Sequence, residues 1–289
     1  MYESDSRSDN SELVAQVTEL LSTSRAGVIT DVDGTIAPIV TNPADAYVLP
    51  AAREALSMLR TQITLVAVVS GRQVTDAQAM VGVDGITYIG NHGLEVLTPT
   101  GPEVTPEARP WVPRLAHVVE QIERQVTTPG VKVENKGVTA SLHYRTTAEP
   151  DKARRELLEI LAKSALTSGL RLEEGRMVLN LLPPLTVTKG SAVSWLAKAH
   201  QLDALVYLGD DVTDAHAFRA LKNMRETSQM RTLSIGVVGP ETPLHVRQLA
   251  DLAVASVQEV ADLLCAIANA LRAGGTMDSG VATVRRESA

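Results

Sequence analysis

The sequence lacks three features that would place it in a specialised class of protein. Its one cysteine, Cys265, has no second thiol in the chain with which to form a disulfide. Its longest clean apolar run, at 63–69, is far shorter than the roughly 20 residues that cross a bilayer. The first ten residues are polar and acidic, where a secretory signal would be basic and then apolar. We therefore expect a cytoplasmic protein with no membrane partner.

The chain also lacks an excess of positive charge. Its 34 acidic residues outnumber its 27 lysines and arginines, and its net charge is −7 at neutral pH. Nucleic acids and anionic membranes bind clustered Lys and Arg through their phosphates, so the composition argues against both partners. An anionic substrate would need a local positive site. The length of 289 residues and the 44% hydrophobic content are ample for a buried core.

Short β-branched runs alternate with helical patterns along most of the chain. The runs predict buried strands at 27–30, 63–69, 86–90, 204–209, 233–238 and 252–256. Helical patterns lie between most of them, at 50–60, 75–81, 189–200, 213–223 and 257–272. This alternation predicts an α/β fold with a doubly wound, mainly parallel, Rossmann-like sheet and helices on both faces.

The alternation stops between about 97 and 185. There the pattern reads helix, two strands, helix and two strands, at 111–127, 131–135, 138–145, 151–167, 170–174 and 176–181. Stretches rich in Pro and Gly bound this region, as hinges between compact units do. We predict a core at 11–97 and 185–272, an inserted α+β cap at 98–184, and flexible tails at 1–10 and 273–289.

Polar side chains gather where the predicted core strands end. Asp31 and Asp33 follow the first strand, Ser70 the second, Asn91 and His92 the third, and Asp210, Asp211 and Asp214 the fourth. Lys189 begins the helix after the insert. Since ligands of an open parallel sheet bind outside the carboxyl ends of its strands, we expect these side chains to converge. So many carboxylates in one volume need a cation, and oxygen ligands suit a hard ion such as Mg2+.

Each of these residues has a simpler explanation when it is taken alone. Asp31 or Asp214 could cap a turn or a helix, Ser70 could cap its helix, and Lys189 could be a solvated lysine. Their order favours a single site instead. DxDGT, a strand ending in Ser, a Lys and GDDxTD follow one another, each at a predicted strand end or helix start.

Four motifs resemble those of the haloacid-dehalogenase-like phosphatase superfamily, in its order. They are DVDGT (31–35), VVSGR (68–72), TKGSAV (188–193) and YLGDDVTD (207–214). The insert lies where that superfamily places its C2-type caps. Two more stretches, GNHGLE (90–95) and GVKVENKGVTASLHYR (130–145), are similar to trehalose-6-phosphate phosphatases within it. The resemblance implies a Mg2+-dependent phosphoric monoester hydrolase of a sugar phosphate, which we expect to be a monomer.

The chemistry and the resemblance together suggest a role for each residue of the core motifs. Asp31 would attack phosphorus to form an aspartyl-phosphate, and Asp33 would protonate the leaving oxygen and then take a proton from water. Ser70 and Lys189 would hold the transferring oxygens, and Gly34 would let the main chain come close to them. Mg2+ would bind the Asp31 and Asp210 carboxylates and the Asp33 carbonyl, with Asp211 or Asp214 acting through bound water or orienting Lys189.

The resemblance also implies contacts to the sugar phosphate from residues that have no role in the scheme above. They are Arg72, Asn91, His92 and Glu95 in the core and Lys132, Glu134, Lys136 and Asn180 in the cap. Lys132 and Glu134 share one face of a predicted strand, as does Lys136 if the strand continues that far. That face could instead be solvated, and His92 could pack rather than support the site. We interpret His143, Tyr144 and Arg145 as structural.

Other functions stay open or fit less well. The family usually has an acidic and then a basic residue before the Pro that precedes the motif Lys, whereas this chain has Asn180 and Leu182 there. A phosphatase of a glycosyl-glycerate or glycosyl-glycerol phosphate is therefore the alternative, because the core motifs handle only the phosphoryl group. A phospho-receiver domain would be shorter and lack the insert, and a non-enzymatic regulator would be expected to have lost a motif residue. A dinucleotide-binding dehydrogenase would need GxGxxG after the first strand, which is absent.

Overall fold

The structure of the protein is a computed structural model. It describes residues 5–280 except 24, 41–44, 165–167, 176, 229, 240–241 and 243. The helices are α1 (Asp5–Leu21), α2 (Pro50–Leu59), α3 (Val74–Val81), α4 (Val112–Gln125), α5 (Pro150–Ser164), α6 (Lys189–Ala199), α7 (Asp214–Ser228), α8 (Leu244–Leu249) and α9 (Val257–Gly280). The strands are β1 (Ala26–Thr30), β2 (Leu65–Val69), β3 (Thr87–Gly90), β4 (Glu95–Thr98), β5 (Gly101–Val104), β6 (Lys132–Asn135), β7 (Ala140–His143), β8 (Arg171–Gly175), β9 (Val178–Leu182), β10 (Ala204–Gly209), β11 (Arg231–Val237) and β12 (Leu252–Val254). Within this described part, each helix is too short or too polar to span a bilayer.

The core sheet has the strand order β12-β11-β10-β1-β2-β3-β4-β5. The strands from β12 to β3 are parallel, and β4 and β5 are antiparallel to their neighbours. This confirms the predicted α/β fold with a mainly parallel sheet. The strand order reverses at β1, which pairs with β10 on one side and β2 on the other. The crevice outside the carboxyl ends of β1 and β10 is therefore the topological switch point, where open α/β sheets bind ligands.

Helices cover both faces of this sheet, because its central strands are apolar on both sides. Strands β1, β2 and β10 are buried along their whole length. Val28 and Val206 belong to an apolar core shared with α1, α2, α3 and α9. Ile29 and Tyr207, one position further along each strand, belong to a second core shared with α6, α7 and α8. Successive residues alternate between two buried faces, which is why these strands are continuous apolar runs in the sequence.

The inserted region folds into an antiparallel sheet of order β6-β7-β9-β8, with α4 and α5 packed on one face. Val133, Leu142 and Leu179 point into the apolar core beneath those helices. The neighbouring positions in each strand alternate to the other face, which is polar. The register places Glu134 opposite Ser141, and Ser141 opposite Asn180. A row of polar side chains therefore crosses the cap sheet on the face away from its helices.

The structure differs from the sequence prediction at the borders of the units. The hairpin β4–β5 extends the core sheet as far as Val104, beyond the predicted border at 97. Its strands are short and partly polar, so no periodicity distinguishes them from a loop. Residues 5–10 belong to α1 and 273–280 to α9, where flexible tails were predicted. The remaining tail residues, 1–4 and 281–289, lie outside the described residues.

Candidate active site

A cavity of about 450 Å3 lies between the carboxyl edge of the core sheet and the polar face of the cap sheet. The predicted site residues that line it from the core are Asp31, Asp33, Ser70, Arg72, His92, Lys189, Asp210 and Asp211. Those that line it from the cap are Lys132, Glu134, Lys136 and Asn180. The strand-end and cap-face predictions thus converge on one space. Gly34, Asn91, Glu95 and Asp214 do not line it.

A buried cluster of Asp31, Lys189 and Asp214 forms the floor of the site. Asp31 continues the ladder between β1 and β10, because its N–H donates to the Leu208 carbonyl at 2.9 Å. Lys189 is the first residue of α6, whose start is fixed by reciprocal capping bonds between Thr188 and Ser191. The Lys189 Nζ lies 2.8 Å from Asp31 Oδ1 and 2.7 Å from Asp214 Oδ1.

The electrostatics of the cluster keep Lys189 charged. Burial raises the pKa of Asp31 to about 7, and the opposing attraction of Lys189 limits the rise. Burial alone would lower the pKa of Lys189, but the carboxylates of Asp214 and Asp31 outweigh it and raise that pKa. A cation fixed beside the Asp31 carboxylate can stabilise negative charge that develops on a reacting group.

Both carboxylate oxygens of Asp214 accept hydrogen bonds from neighbouring groups. Its Oδ1 accepts bonds from Lys189 and, at 2.5 Å, from the Tyr207 hydroxyl. Its Oδ2 accepts the backbone N–H groups of Asp210 and Asp211 at 3.1 and 3.0 Å. Of the two predicted roles for Asp214, the geometry therefore fits the orienting of Lys189. The role of Tyr207 was not predicted from the sequence, although a tyrosine in a buried strand signals that its hydroxyl has a partner.

The site suits a hard metal ion. Asp31, Asp210 and Asp214 bring one carboxylate oxygen each to within 4.8 Å of one another. Both oxygens of Asp214 accept hydrogen bonds from neighbouring groups, so the carboxylates of Asp31 and Asp210 fit an ion better than that of Asp214. The turn after β1 comes close to Asp210, since a Cβ on Gly34, which has φ +82°, would lie 2.1 Å from Asp210 Oδ2. Buried, anionic and all-oxygen donors are those that Mg2+ prefers.

Arg72 binds Asp33 with both branches of its guanidinium. Its Nε donates to Asp33 Oδ2 and its Nη2 donates to Asp33 Oδ1, each at 2.7 Å. Burial alone would lower the pKa of Arg72, but the hydrogen bonds to Asp33 and the charge of that carboxylate raise the pKa of Arg72 above its usual value. Arg72 was predicted to contact substrate. It does line the cavity, but in this structure its guanidinium holds the predicted acid.

His92 and Ser70 lie side by side under the cap. The Ser70 carbonyl accepts the His92 N–H at 2.9 Å, and Ser70 Oγ accepts the Arg72 N–H at 3.2 Å. Among the described residues, the buried Nδ1 of His92 has no hydrogen-bond partner. Burial, followed by the charges of Lys189 and Lys136, holds the pKa of His92 well below its usual value. His92 is therefore a neutral imidazole that faces the cavity.

Asn91 and Glu95 lie behind the cavity, which differs from the predicted substrate contacts. Asn91 Nδ2 donates to Glu95 Oε2 at 3.0 Å and to the carbonyl of Lys136 at 3.2 Å. Its Oδ1 accepts the hydroxyl of Thr139 at 2.5 Å. Glu95 also accepts the N–H of Val74 at the start of α3, at 2.8 Å. The hydrogen bonds of these two side chains thus connect the cap loop to the core.

The cap side of the cavity centres on Glu134. Its Oε2 lies 3.0 Å from His143 Nε2 and 3.8 Å from Lys136 Nζ. The hydrogen bond from His143, followed by the charge of Lys136, lowers the pKa of Glu134 to about 2 despite burial. Lys136 also donates to the Gly71 carbonyl of the core at 3.1 Å, and Asn180 Oδ1 accepts the Ser141 hydroxyl at 2.7 Å. His143, which was interpreted as structural, thus belongs to the lining.

A doubly wound core with an inserted cap over a carboxylate site at the switch point defines a haloacid-dehalogenase-like protein with a C2-type cap. The C-terminal domain of a trehalose-6-phosphate phosphatase from C. albicans has the same fold, with a TM-score of 0.74 at 20% identity, over 90% of this chain and 97% of that one. The chain belongs to the trehalose-phosphatase family, whose model matches residues 29–243.

Relatives with curated names are longer than this chain. The trehalose-phosphate phosphatase of Mycobacterium leprae is 31% identical over 259 residues, which cover 81% of this chain and 59% of that protein. A protein of Mycobacterium tuberculosis named as an uncharacterized glycosyl hydrolase is 33% identical over 225 residues, which cover 74% of this chain and 17% of that protein. The chain thus spans only part of the length of these relatives.

Proposed function

We propose that this protein is a Mg2+-dependent phosphatase that releases phosphate from trehalose 6-phosphate through an aspartyl-phosphate. The observation that carries the proposal is the buried cluster of Asp31, Lys189 and Asp214, of which Asp31 and Lys189 face the polar cap sheet across one cavity. Membership of the trehalose-phosphatase family supports the substrate. A volume of about 450 Å3 lies within the range of small-molecule sites. The cytoplasmic location and monomeric state stay predictions.

The residues of the site divide the chemistry between them. An oxygen of Asp31 forms a bond to phosphorus while the bond from phosphorus to the sugar oxygen breaks. Asp33 gives a proton to the departing sugar oxygen and later takes one from the water that releases phosphate. Lys189 and Ser70 donate hydrogen bonds to the transferring oxygens as charge spreads over them.

The metal ion would be held by the carboxylates of Asp31 and Asp210 and by the backbone carbonyl of Asp33. When bound, Mg2+ supplies the positive charge that allows an anionic carboxylate to approach an anionic phosphate. Asp211 also faces the cavity, and its N–H is tied to Asp214. We assign it to the outer part of the metal site, through bound water.

Phosphate release should depend on Mg2+. We expect a chelator to stop hydrolysis of trehalose 6-phosphate, Mg2+ to restore it, and Ca2+ to restore it poorly, because the larger ion has looser coordination and misplaces the reacting groups. The measurement is phosphate release by the purified protein over a panel of sugar phosphates with each ion. Full activity in excess chelator, or equal rates with the two ions, would contradict the metal role.

Phosphate release over the same panel of sugar phosphates also tests which of them is the substrate. A glycosyl-glycerate or glycosyl-glycerol phosphate is the second candidate, and Asn180 favours it, because a neutral amide bound to Ser141 stands where the family usually has a charged residue. The polar cap face can donate to and accept from sugar hydroxyls of either class. A kcat/KM for trehalose 6-phosphate below that for a glycosyl-glycerol phosphate would reverse the order of the two candidates.

Replacing Glu134 by Ala should reduce kcat/KM for trehalose 6-phosphate by roughly 10-fold to 1000-fold, as the loss of one or two hydrogen bonds to a sugar should. A carboxylate has more acceptor sites than His143 and Lys136 use, so Glu134 can still accept from substrate hydroxyls. Hydrolysis of p-nitrophenyl phosphate should change little, because this ester is too small to reach the cap. Both substrates are assayed by phosphate release.

Glu174→Ala is the matched control. Glu174 is also a cap glutamate in an ion pair, with Arg154, but it does not line the cavity. The Glu174→Ala substitution should leave the hydrolysis of both substrates unchanged. An equal loss for both substrates in Glu134→Ala, or a loss for neither, would show that the cap face does not recognise the sugar.

A further inference from the structure

The turn between β6 and β7 of the cap is bound to the core by the side chain of Asn91. Asn91 Oδ1 accepts the Thr139 hydroxyl at 2.5 Å, at one end of the turn. Asn91 Nδ2 donates to the Lys136 carbonyl at 3.2 Å, at the other end. The turn itself is closed by the Lys136 N–H, which donates to the Thr139 carbonyl at 2.9 Å. A single amide of the core therefore holds both ends of this cap turn.

The orientation of the Asn91 amide is fixed by the core. Its Nδ2 also donates to Glu95 Oε2 at 3.0 Å, and the same oxygen accepts the Val74 N–H at 2.8 Å. Because Glu95 Oε2 accepts from both groups, the nitrogen of the amide faces Glu95 and its oxygen accepts from Thr139. Asn91 is completely buried, so a bond lost here would leave a polar group without a partner.

The backbone of Asn91 is bound to the loop that follows β2. The Asn91 N–H donates to the Arg72 carbonyl at 2.7 Å. The Lys136 ammonium donates to the Gly71 carbonyl of the same loop at 3.1 Å. This loop lines the cavity with Ser70, Gly71 and Arg72. The cap turn is thus connected to the loop whose serine would hold the transferring oxygens.

An apolar contact holds the same turn against the core. Val138, inside the turn, is fully buried and packs in one cluster with Leu94 and Ala108. Leu185, in the segment that returns from the cap to the core, packs against this cluster. Ala108 lies in the segment that leads from the core into the cap. The turn is therefore fixed at the place where the chain enters and leaves the cap.

We propose that Asn91 is a positioning residue for sugar recognition, which fixes the β6–β7 turn on the core and so sets the distance between the polar cap face and the phosphoryl site. This inference rests on the proposed function. Glu134 lies in β6 and Lys136 directly after it, so a shift of the turn moves both side chains. A sugar phosphate has to contact both sides of the cavity, whereas p-nitrophenyl phosphate does not reach the cap. Asn91 itself does not line the cavity and acts through the turn.

The test measures sugar selectivity, defined as kcat/KM for trehalose 6-phosphate divided by kcat/KM for p-nitrophenyl phosphate. This ratio does not depend on the fraction of enzyme that is folded, because both constants scale with that fraction. Thr139→Val removes the hydroxyl that binds Asn91 and keeps the shape of the side chain. It should lower the ratio by roughly 5-fold to 100-fold, the range for a buried acceptor that loses its partner.

Asn91→Asp tests the other end of the turn. The substitution replaces the amide nitrogen that donates to Lys136 and Glu95 by an oxygen. Aspartate, like asparagine, tolerates the φ of +49° at this position, so the backbone can keep its conformation. We expect the ratio to fall at least as far as in Thr139→Val.

Two variants serve as controls. Thr139→Ser keeps the hydroxyl and should keep the ratio. Thr147→Val makes the same change at another buried cap threonine, whose hydroxyl donates to the Tyr144 carbonyl within the cap at 2.8 Å. This control should also keep the ratio. Hydrogen–deuterium exchange over residues 132–143, read by mass spectrometry, should be faster in Thr139→Val than in the unmodified protein or in Thr147→Val.

Other outcomes overturn the inference. An unchanged ratio in Thr139→Val would make the contact purely structural, even if exchange became faster. An equal fall of the ratio in Thr147→Val would show that any weakening of the cap has this effect. Unchanged exchange in Thr139→Val would show that the amide does not hold the turn. If the unmodified protein releases phosphate from no sugar phosphate, the proposed function fails and the role of Asn91 with it. The result for the unmodified protein thus distinguishes the two failures.

Discussion

Asp31→Asn should remove more than about 99% of phosphate release, because an amide cannot serve as the nucleophile and loss of a nucleophile slows turnover by several orders of magnitude. The substitution keeps the volume of the side chain at a buried position. It also leaves Lys189 beside the Asp214 carboxylate, 2.7 Å away, so one ion pair of the cluster persists. We therefore expect the fold to be retained. Phosphate release from trehalose 6-phosphate and from p-nitrophenyl phosphate measures the loss.

p-Nitrophenyl phosphate tests the role of Asp31 more directly than trehalose 6-phosphate does, because its hydrolysis needs neither the cap face nor a protonated Asp33. Both substrates should fail equally in Asp31→Asn, whereas Glu134→Ala should affect only the sugar phosphate. Asp84→Asn makes the same chemical change at an exposed position and should be without effect. Activity above about 1% in Asp31→Asn, with the variant folded and free of unmodified enzyme, would rule out the covalent mechanism.

The core could be predicted from the sequence because its strands and their ends are determined by short stretches of neighbouring residues. Strands buried on both faces are apolar runs, and a polar residue directly after such a run is placed at the sheet edge by chain geometry alone. Asp31, Ser70 and Asp210 could therefore be assigned to one site before any contact was known. The edge hairpin β4–β5 is short and partly polar, and α1 carries its buried apolar residues in its last turns, at Val17, Leu20 and Leu21. Neither gives a clear periodic signal.

Contacts between distant segments could not be predicted in the same way. The pair of Asp33 with Arg72 and the bond of Tyr207 to Asp214 depend on how strands and helices pack. Asn91 was placed at the site because it follows a strand, but its side chain turns away and binds the cap loop. A strand-end position thus places the backbone of a residue at the site and leaves the direction of its side chain undetermined.

The cap shows the same division. Alternation along β6 correctly placed Lys132 and Glu134 on one face, because that depends only on the period of a strand. The row formed by Glu134, Ser141 and Asn180 depends on strand register, which the sequence did not reveal. The amide of Asn180 is therefore understood only through its bond to Ser141.

Asp214→Ala should lower the free energy of unfolding by about 3–5 kcal/mol, the usual cost of removing one partner of a buried ion pair. The substitution leaves Lys189 with a single carboxylate in a buried site. It also leaves the Tyr207 hydroxyl and the N–H groups of Asp210 and Asp211 without their acceptor. Phosphate release should fall as well, because Lys189 loses the group that orients it. Urea denaturation, read as a change of midpoint at constant slope, measures the stability.

Tyr207→Phe gives the graded comparison for Asp214→Ala. It removes one donor from the same carboxylate and keeps Lys189 fully paired, so it should cost only about 0.5–1.5 kcal/mol. The ratio of the two costs shows whether the carboxylate stabilises the fold mainly through the buried lysine or mainly through its hydrogen bonds to neutral groups. If Asp214→Ala proves no less stable than Tyr207→Phe, the buried ion pair contributes nothing net, and Asp214 cannot be what holds Lys189 beside Asp31.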